Sequence, residues 1–354
     1  MLTENRMSDS IVQKMEIIAG PCSAESREQL LECAKALHEI GITHFRSGVW
    51  KPRTHPGTFE GVGDIALEWL DEVQQLYGMN IAIEVAKSEH ITKALKHNIH
   101  TLWLGSRTTS NPFAVQEIAD AINKIEQKEQ LTILIKNPIT PDIELWSGAL
   151  ERIARAGVKD IKLIHRGFTS YERSIYRNAP LWSVATQMKQ RHKEIPMICD
   201  PSHIGGRQEY VAQIAQQAID LHFDGLMIEV HNNPEEALSD SMQQLTPQQF
   251  REIISSIQIR DSKELPHNIS LLREEIDQID NKIISLLKER NEITKQIGNY
   301  KRINNIPLYQ EQRHKMMIES RRLTAKEKGI NSEFIESIME LIHSQSLEEQ
   351  LKNK

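Results

Sequence analysis

Four side chains of types that bind metal ions lie at or shortly after apolar runs of the sequence. They are Cys22, His203, Glu229 and Asp240. The apolar runs are typical of buried parallel strands, and polar residues at the carboxyl ends of such strands are where α/β barrels carry out chemistry. One thiol, one imidazole and two carboxylates combine soft and hard donors. The set therefore predicts a site for a divalent Mn, Fe, Zn or Co ion.

Further charged side chains follow the other apolar runs in the same half of the chain. In chain order they are Arg46, Lys51, Arg53, Glu84, Arg107, Lys136 and Arg166. Any single cation among them could be a solvated loop charge, but six cations at strand ends favour a cluster. Such clusters bind phosphate and carboxylate groups, which arginine can contact in a bidentate manner. So many cations predict more than one anionic group on the ligands.

The elements that must position these side chains alternate between short apolar runs and amphipathic helices, from Met15 to about Ser256. The predicted strands are Glu16–Ala19, Thr43–Ser47, Ile81–Val85, Thr101–Leu104, Thr132–Ile135, Ile161–Ile164, Met197–Cys199 and Leu226–Val230. Eight strands, each followed by a helix, are typical of a (β/α)8 barrel. The alternative is a doubly wound open sheet, but no Gly-x-Gly-x-x-Gly sequence follows the first strand.

From about Asn268 the pattern becomes entirely helical. Apolar residues recur at helical spacing over one very long segment, at Ile276, Ile279, Ile283, Leu286, Leu287 and Ile293. Pro307 must end that helix, and Gly329 separates two further helices. We therefore predict a barrel in residues 1–257, a polar linker in residues 258–267 and a small all-α three-helix domain in residues 268–354.

Composition limits the class of protein. The net charge of −6 over 354 residues gives no reason to expect a nucleic-acid partner, and three cysteines favour a reducing cytoplasm. No apolar run is long enough to span a membrane, and the polar segment Met1–Lys14 does not resemble a secretory signal. Only about fifteen residues precede the first strand, fewer than a separate regulatory domain of ordinary size needs. We expect a cytoplasmic enzyme with small-molecule partners.

Six motifs resemble those of 3-deoxy-D-arabino-heptulosonate 7-phosphate (DAHP) synthase. They are Gly20-Pro21-Cys22-Ser23, Lys51-Pro52-Arg53-Thr54, Gly105-Ser106-Arg107-Thr108, Ile135-Lys136-Asn137-Pro138, His165-Arg166-Gly167 and Asp200-Pro201-Ser202-His203. The resemblance implies condensation of phosphoenolpyruvate with erythrose 4-phosphate, the first step of aromatic biosynthesis. A rival family makes an eight-carbon sugar acid from arabinose 5-phosphate, but it typically has Lys-Ala-Asn-Arg in place of the second motif.

The resemblance also implies residue roles. The implied metal ligands are Cys22, His203, Glu229 and Asp240. The phosphate of phosphoenolpyruvate would bind Arg107, Lys136 and Arg166, and its carboxylate would lie near Arg46 and Lys51. Erythrose 4-phosphate would bind Arg53 and Thr54. Glu84 would position water or make a structural hydrogen bond, and both interpretations remain open.

A second group of cations lies on the predicted long helix. Arg290 and Lys301 are eleven residues apart, close to three turns, so they share a helix face. Arg273 lies seventeen residues before Arg290, about 25 Å along a helix axis. One small ligand can contact both arginines only if a second copy of the helix packs antiparallel alongside. The alternative is a solvated cationic face.

Residues 268–354 resemble the all-helical class of chorismate mutase, which converts chorismate to prephenate. The matching segments are Leu272–Asp277, Leu287–Arg290, Ile297–Lys301, Arg313 and Ser346–Gln350. The resemblance implies a homodimer formed through this domain, in which Arg290, Arg313 and the partner subunit's Arg273 bind the carboxylates of the substrate. Lys301 and Gln350 would contact its ether oxygen, and Ser346 would line the pocket.

Two residues of the helical domain depart from the pattern of the mutase family. Gln310 and His314 stand where that family often has Asp and Glu. We expect altered, not absent, mutase activity, because a neutral histidine still accepts a hydrogen bond. The alternative is a domain that mainly senses chorismate or prephenate and regulates the barrel.

Overall fold

The computed structural model describes residues 11–51, 57–170, 174–260 and 267–352. The chain divides into two compact units, Met1–Arg260 and Asp261–Lys354. Residues 261–266 of the predicted linker lie outside the described residues, and its last residue, His267, already begins a helix. None of the described helices is both long and apolar enough to cross a membrane.

The first unit contains a closed barrel of eight parallel strands, each paired with the next in sequence and the last paired with the first. The strands are β1 Glu16–Gly20, β2 His44–Ser47, β3 Asn80–Val85, β4 Thr101–Leu104, β5 Thr132–Lys136, β6 Asp160–His165, β7 Met197–Cys199 and β8 Gly225–Glu229. The predicted (β/α)8 barrel is confirmed. The observed bounds differ from the predicted ones by one residue at several strand ends. The difference that matters for the site is that β8 ends at Glu229, one residue before the predicted end at Val230.

One short helix precedes β1, and the other helices of this unit lie in the connections after the strands. In chain order the helices are α1 Ile11–Lys14, α2 Arg27–Ile40, α3 Ile65–Tyr77, α4 Ser88–Lys96, α5 Ser106–Thr109, α6 Pro112–Asn123, α7 Ile143–Arg155, α8 Trp182–Arg191, α9 Pro201–Gly205, α10 Gln208–Asp220 and α11 Pro247–Ser256. Local sequence explains several helix starts. The side chain of Ser26 accepts a hydrogen bond from Gln29 N, and Thr246 with Gln249 forms a capping box.

Side chains alternate between two apolar layers along each strand, as the period of two requires. In β4, Leu102 and Leu104 pack outward against the helices, whereas Trp103 points into the barrel. The interior cluster consists of Ile18, Ala82, Trp103, Leu134, Ile164, Ile198 and Met227. The guanidinium carbon of Arg46 lies 4.9 Å from the centre of the Trp103 ring, and Lys136 Nζ lies 5.7 Å from it. Both cations therefore lie over the face of the indole ring, where cation–π attraction stabilises them.

The second unit consists of three helices, α12 His267–Ile303, α13 Glu311–Glu327 and α14 Ser332–Lys352. As predicted, α12 ends shortly before Pro307, and Gly329 lies between α13 and α14 with φ 69°. A Cβ atom on Gly298 would lie only 2.8 Å from Gln350 Cγ, so the glycine permits the close approach of α12 and α14.

Much of the apolar surface of α12 is not covered within one chain. Its side chains at Leu272, Ile276, Ile279, Ile283, Leu286 and Leu287 are between 41% and 63% exposed. All of them except Leu272 belong to the set of apolar residues that recur at helical spacing in the sequence. A helix with an uncovered apolar face of this length is expected to bury that face against another surface.

Candidate active sites

A thiol and two carboxylates meet at the carboxyl end of the barrel. Cys22 follows β1 and Glu229 ends β8, and the register between these strands pairs Gly20 with Glu229. Asp240 comes from the loop after β8, and its Oδ2 accepts a hydrogen bond from Cys22 Sγ at 3.3 Å. One potential ligand atom from each of the three residues lies within 4.8 Å of the others.

His203, the fourth predicted ligand, lies beside this cluster and not within it. Its Nδ1 is 2.9 Å from Asp200 Oδ2, and its Nε2 is 3.8 Å from Glu229 Oε1. The hydrogen bond to Asp200 favours the tautomer with the proton on Nδ1, which leaves Nε2 facing the cluster as an acceptor. A carboxylate that orients a histidine in this way is typical of metal sites.

The pKa of Cys22 decides between two roles for its thiol, a nucleophile and a metal ligand. Burial, followed by the charge of Glu229, raises the pKa of Cys22 to about 12, although Lys51 acts in the opposite direction. Lys51 Nζ lies 2.6 Å from Cys22 Sγ. A thiol that keeps its proton far above neutral pH is a poor nucleophile. Cys22 is therefore better suited to coordinate a cation, with release of its proton, than to attack a substrate.

The two carboxylates stay charged despite burial. Burial alone would raise the pKa of Asp240, but His203, Arg177 and Lys51 outweigh it and hold that pKa below its usual range. Burial also opposes ionisation of Glu229, and His203 and Arg46 again lower its pKa.

The donors fit a transition-metal ion. Glu229 Oε1 is buried and accepts no hydrogen bond from the residues that the structure describes, although Arg46 Nη2 lies 3.1 Å from it. A buried carboxylate oxygen without a hydrogen bond, next to a thiol and a second carboxylate, is the arrangement that a divalent cation satisfies. The mixture of sulfur, nitrogen and oxygen donors matches the set expected for Mn, Fe, Zn or Co.

The cluster opens into a pocket with a strongly cationic wall. The pocket is lined by Arg46, Lys51, Glu84, Gly105, Ser106, Arg107, Lys136, Arg166, Arg177, His203 and Asp240. The structure therefore brings together all the predicted phosphate- and carboxylate-binding residues among the described part of the chain. Arg53 and Thr54 lie outside the described residues.

Two of the cations are held by buried partners. Lys136 Nζ donates to Asp200 Oδ2 at 2.8 Å, and Arg166 Nη1 donates to Asn178 Oδ1 at 2.9 Å. Burial, together with nearby Arg177 and Arg107, lowers the pKa of Arg166 to about 10. A guanidinium whose charge is disfavoured by burial and by other arginines is stabilised when an anion enters the pocket.

Glu84 reaches the pocket because Gly105 has no side chain. A Cβ atom on Gly105 would lie 2.0 Å from Glu84 Oε1. The carboxylate therefore occupies the space next to the loop that carries Arg107. Both interpretations of Glu84, water positioning and structural hydrogen bonding, are compatible with this location.

Sequence reasoning missed Arg177 and Gln243 as parts of the site. Arg177 lines the pocket, and Gln243 donates a hydrogen bond to Glu229 Oε2 at 2.7 Å. Neither residue directly follows a strand, so the rule that located the other residues does not apply to them. Gln243 follows Asp240 by three residues, and this proximity is the one sequence signal that could have indicated it.

In the helical unit, the predicted mutase residues form a partial site. Arg290 Nη1 donates to Ser346 Oγ at 2.5 Å, which joins α12 to α14, and Gln350 is buried one turn further along α14. Lys301 Nζ donates to Leu308 O at 2.6 Å. Burial lowers the pKa of Arg290. Lys301 and Arg290 are both near enough to His343 on α14 to contribute to lowering its pKa, after the larger effects of burial and of His314.

Two predicted mutase residues are exposed. Arg273 and Arg313 are both exposed in the single chain. Arg273 and Arg290 lie on the same continuous helix, seventeen residues apart, so one chain does not bring them together. His314, at one of the two departures, stacks on His343 at 4.2 Å between ring centres, and its Nε2 lies 3.1 Å from Glu340 Oε2.

Comparisons with known proteins match one family to each of the two parts of the chain. The DAHP synthetase I family model matches residues 9–264. This chain belongs to the DAHP synthetase I family. The model of chorismate mutase type II matches residues 272–351. Both resemblances seen in the sequence are confirmed, and the two domains support both reactions in aromatic amino acid biosynthesis.

Individual relatives are similar over the barrel. The chain is 34% identical over 241 residues to phospho-2-dehydro-3-deoxyheptonate aldolase of Thermotoga maritima, which covers 68% of each protein. A crystal structure of a DAHP synthase from that organism matches with a TM-score of 0.60 at 33% identity, covering 68% of this chain and 67% of the other. The 2-dehydro-3-deoxyphosphooctonate aldolase of Rhodopseudomonas palustris, from the rival group, is 24% identical over 69% of this chain and 86% of its own length.

Proposed function

We propose that the barrel pocket condenses phosphoenolpyruvate with erythrose 4-phosphate, and that Cys22, His203, Glu229 and Asp240 hold the divalent ion this reaction uses. The observation that supports the proposal is the junction of the thiol and carboxylate cluster with the cationic pocket, since His203 and Asp240 belong to both. When bound, the ion supplies Lewis-acid polarisation of an aldehyde oxygen.

The cations of the pocket bind and orient the two anionic substrates. Arg107, Lys136 and Arg166 hold the phosphate of phosphoenolpyruvate, and Arg46 with Lys51 holds its carboxylate. Arg53 and Thr54 bind erythrose 4-phosphate. Fixed positive charge offsets the repulsion between two phosphorylated substrates and keeps their reacting carbons in a productive orientation.

The bond changes follow from that orientation. Carbon 3 of phosphoenolpyruvate attacks the aldehyde carbon of erythrose 4-phosphate, and the aldehyde oxygen becomes a hydroxyl. A water molecule adds to carbon 2 and gives one proton to the aldehyde oxygen. Glu84 lines the pocket in which this step takes place, and both of its interpretations, water positioning and structural hydrogen bonding, stay open. The resulting carbon 2 then releases inorganic phosphate as its new hydroxyl becomes the ketone.

Replacement of the thiol tests the proposal for the barrel. Cys22→Ala removes one ligand and should lower the synthase rate by about a thousandfold or more, while the mutase rate is unchanged. Chelator treatment of the wild type should have the same selective effect, and the added ion should restore activity. Full synthase activity after the ion has been removed would contradict the proposal.

We propose that the helical unit rearranges chorismate to prephenate in a homodimer. Arg290, Arg313 and the partner subunit's Arg273 hold the two carboxylates of chorismate. Lys301 and Gln350 donate to the ether oxygen, which gains negative charge as its bond breaks. Ser346 lines the pocket beside Arg290. Catalysis comes from selecting the compact conformer and from stabilising that charge.

The uncovered apolar face of α12 supports the dimer. A second α12 packed antiparallel would bury the exposed isoleucines and leucines and would bring the second Arg273 next to Arg290. Arg273→Ala and Arg290→Ala should each be nearly inactive as mutases. Purified mixed dimers should regain about half of the wild-type rate. One of their two sites takes Arg290 from the Arg273→Ala chain and Arg273 from the Arg290→Ala chain, so that site has both arginines. No recovery in verified mixed dimers would contradict a shared site.

A further inference from the structure

A network of side-chain hydrogen bonds joins Asp240 and Glu229, the two carboxylates of the proposed metal site. Arg177 Nη1 donates to Asp240 Oδ1 at 3.0 Å and to Gln243 Oε1 at 2.8 Å. Gln243 Nε2 in turn donates to Glu229 Oε2 at 2.7 Å. Gln243 and Glu229 are both fully buried, with at most 1% exposure. The network therefore uses one oxygen of Asp240 and one oxygen of Glu229.

The remaining oxygen of each carboxylate is left for the cluster. Asp240 Oδ2 accepts from Cys22 Sγ, and Glu229 Oε1 accepts no hydrogen bond from the described part of the chain. A carboxylate can rotate and exchange its two oxygens. A hydrogen bond that fixes one oxygen removes that freedom, so the other is already oriented when a cation arrives.

The network is itself anchored to the helix that carries His203. Arg177 N donates to Gly205 O at 3.2 Å, and Asn178 N donates to Ile204 O at 3.1 Å. Asn178 Nδ2 donates to His203 O at 2.6 Å. A Cβ atom on Gly206 would lie 2.4 Å from Arg177 Cβ, so this glycine, with φ 69°, permits the close approach of the two segments.

We propose that Arg177 and Gln243 are positioning residues that fix Glu229 and Asp240 in the orientation needed to bind the divalent ion, and that they fix both carboxylates relative to His203. The inference rests on the proposed metal site and adds to it the residues that preorganise the site. The network acts through the carboxylates and does not itself contact the ion.

A different role for Arg177 predicts a different result. Arg177 lines the substrate pocket, and a substrate-binding arginine would change the KM for a phosphorylated substrate without changing the affinity for the ion. A positioning arginine changes the affinity of the substrate-free enzyme for the ion. The two roles are therefore separated by measuring metal binding directly.

The test uses the full-length protein, stripped with a chelator and titrated with Co²⁺, with the dissociation constant measured by calorimetry. Absorption in the near ultraviolet reports the bond between Co²⁺ and a thiolate. Arg177→Gln and Gln243→Met should each raise the dissociation constant by about 10- to 100-fold. The thiolate band should persist at saturating Co²⁺, because the network does not hold Cys22. Arg177→Lys, which keeps a cationic donor, should recover part of the affinity.

The double variant tests whether the two residues act together. If Arg177 and Gln243 form one unit, the double variant Arg177→Gln with Gln243→Met will lose less Co²⁺-binding free energy than the two single variants lose in sum. The matched controls are Arg207→Gln and Gln248→Met, because Arg207 lies 4.0 Å from Glu209 and Gln248 donates to Glu252, and none of these residues belongs to the network. The controls should bind Co²⁺ as the wild type does.

Each result supports or overturns the network. Unchanged Co²⁺ affinity in Arg177→Gln would overturn the proposal, even if Gln243→Met did not fold. The side chain of Arg177 is half exposed, so the fold tolerates its replacement more easily than that of buried Gln243. Additive losses would show two independent contacts and would also overturn it. A wild type without a thiolate band would instead overturn the metal site itself, and the network with it.

Discussion

The barrel site and the helical site solve the same problem, binding several anionic groups, in different ways. In the barrel, the charged side chains come from several strands and loops, and buried ion pairs hold some of them, such as Lys136 with Asp200. In the helical unit, the charged residues lie on two helices, α12 and α13, and Arg273 and Arg313 are exposed. The barrel residues come together within one chain, whereas the helical site that we propose takes Arg273 from a second copy of the chain.

That difference shows how topology determines what one chain can build. A closed parallel barrel brings the carboxyl ends of its eight strands to one face, so residues far apart in sequence meet there without a second subunit. A long helix separates its residues along an axis, and Arg273 and Arg290 can serve one ligand only across two copies. Three predictions test this contrast.

The largest expected effect separates the two activities through the dimer. Ile283→Asp places a carboxylate on the uncovered face of α12, where Ile283 is 49% exposed. An unpaired charge buried at an apolar interface costs several kcal/mol, so the dissociation constant of the dimer should rise by about a hundredfold or more. Mutase activity should fall and become dependent on protein concentration, while the synthase activity per chain is retained.

Analytical ultracentrifugation with both assays would check this result, and Ile283→Leu is the matched control because it keeps the apolar surface. A variant that dissociates but retains full mutase activity would show that one chain completes the helical site. The contrast between the two regions would then be wrong.

An intermediate effect concerns acid stability of the barrel. Burial lowers the pKa of His165 to about 3, whereas an unfolded histidine titrates near 6.5. The unfolded chain therefore binds a proton that the folded barrel does not, and the free energy of unfolding falls as the pH drops from about 6.5 towards 3. At pH 5 the loss should be about 2 kcal/mol, and His165→Phe should abolish that part of the pH dependence.

Urea unfolding at pH 6.5 and pH 5, followed by tryptophan fluorescence, measures this loss. All five tryptophans lie between Trp50 and Trp182, so the signal comes from the barrel alone. The wild type should lose more stability between the two pH values than His165→Phe does. Equal losses would mean that His165 becomes protonated without unfolding.

The smallest expected effect tests a departure of the helical site from its family. His314 lies beside Glu340 and His343. His314→Gln keeps a hydrogen-bonding side chain and should change mutase kcat/KM by no more than about threefold. His314→Ala loses about one hydrogen bond, and the expected decrease is about tenfold. Identical kinetics in His314→Ala and the wild type would show that this histidine does not reach the substrate.

Sequence reasoning located residues that obey a simple geometric rule. Cys22 and Glu229 end adjacent strands, and the pattern of apolar runs was sufficient to place both at the same end of a barrel. Pro307 and Gly329 also indicated the helix ends, because their backbone conformations determine where a helix stops.

The rest of the site depends on loops. Arg177 lies twelve residues after the end of β6, and its contacts with Asp240 and Gln243 come from tertiary packing. Loop geometry has no periodic signal from which such contacts could be predicted. The position of His203 just outside the ligand cluster is likewise set by α9 and Asp200, and residue types at strand ends do not specify it to that accuracy.

The closure of β1 onto β8 has a consequence for how the enzyme is made. Cys22 and Asp240 are 218 residues apart in sequence, yet their side chains touch. During synthesis, Cys22 leaves the ribosome long before Asp240 exists, so the complete set of ligands forms only when the last strand has joined the first. A metal ion therefore cannot be captured by the full site during early translation. An ion bound at the proposed site would link β1 to β8, the two ends of the barrel's sequence, and would stabilise the closed ring over the unfolded chain.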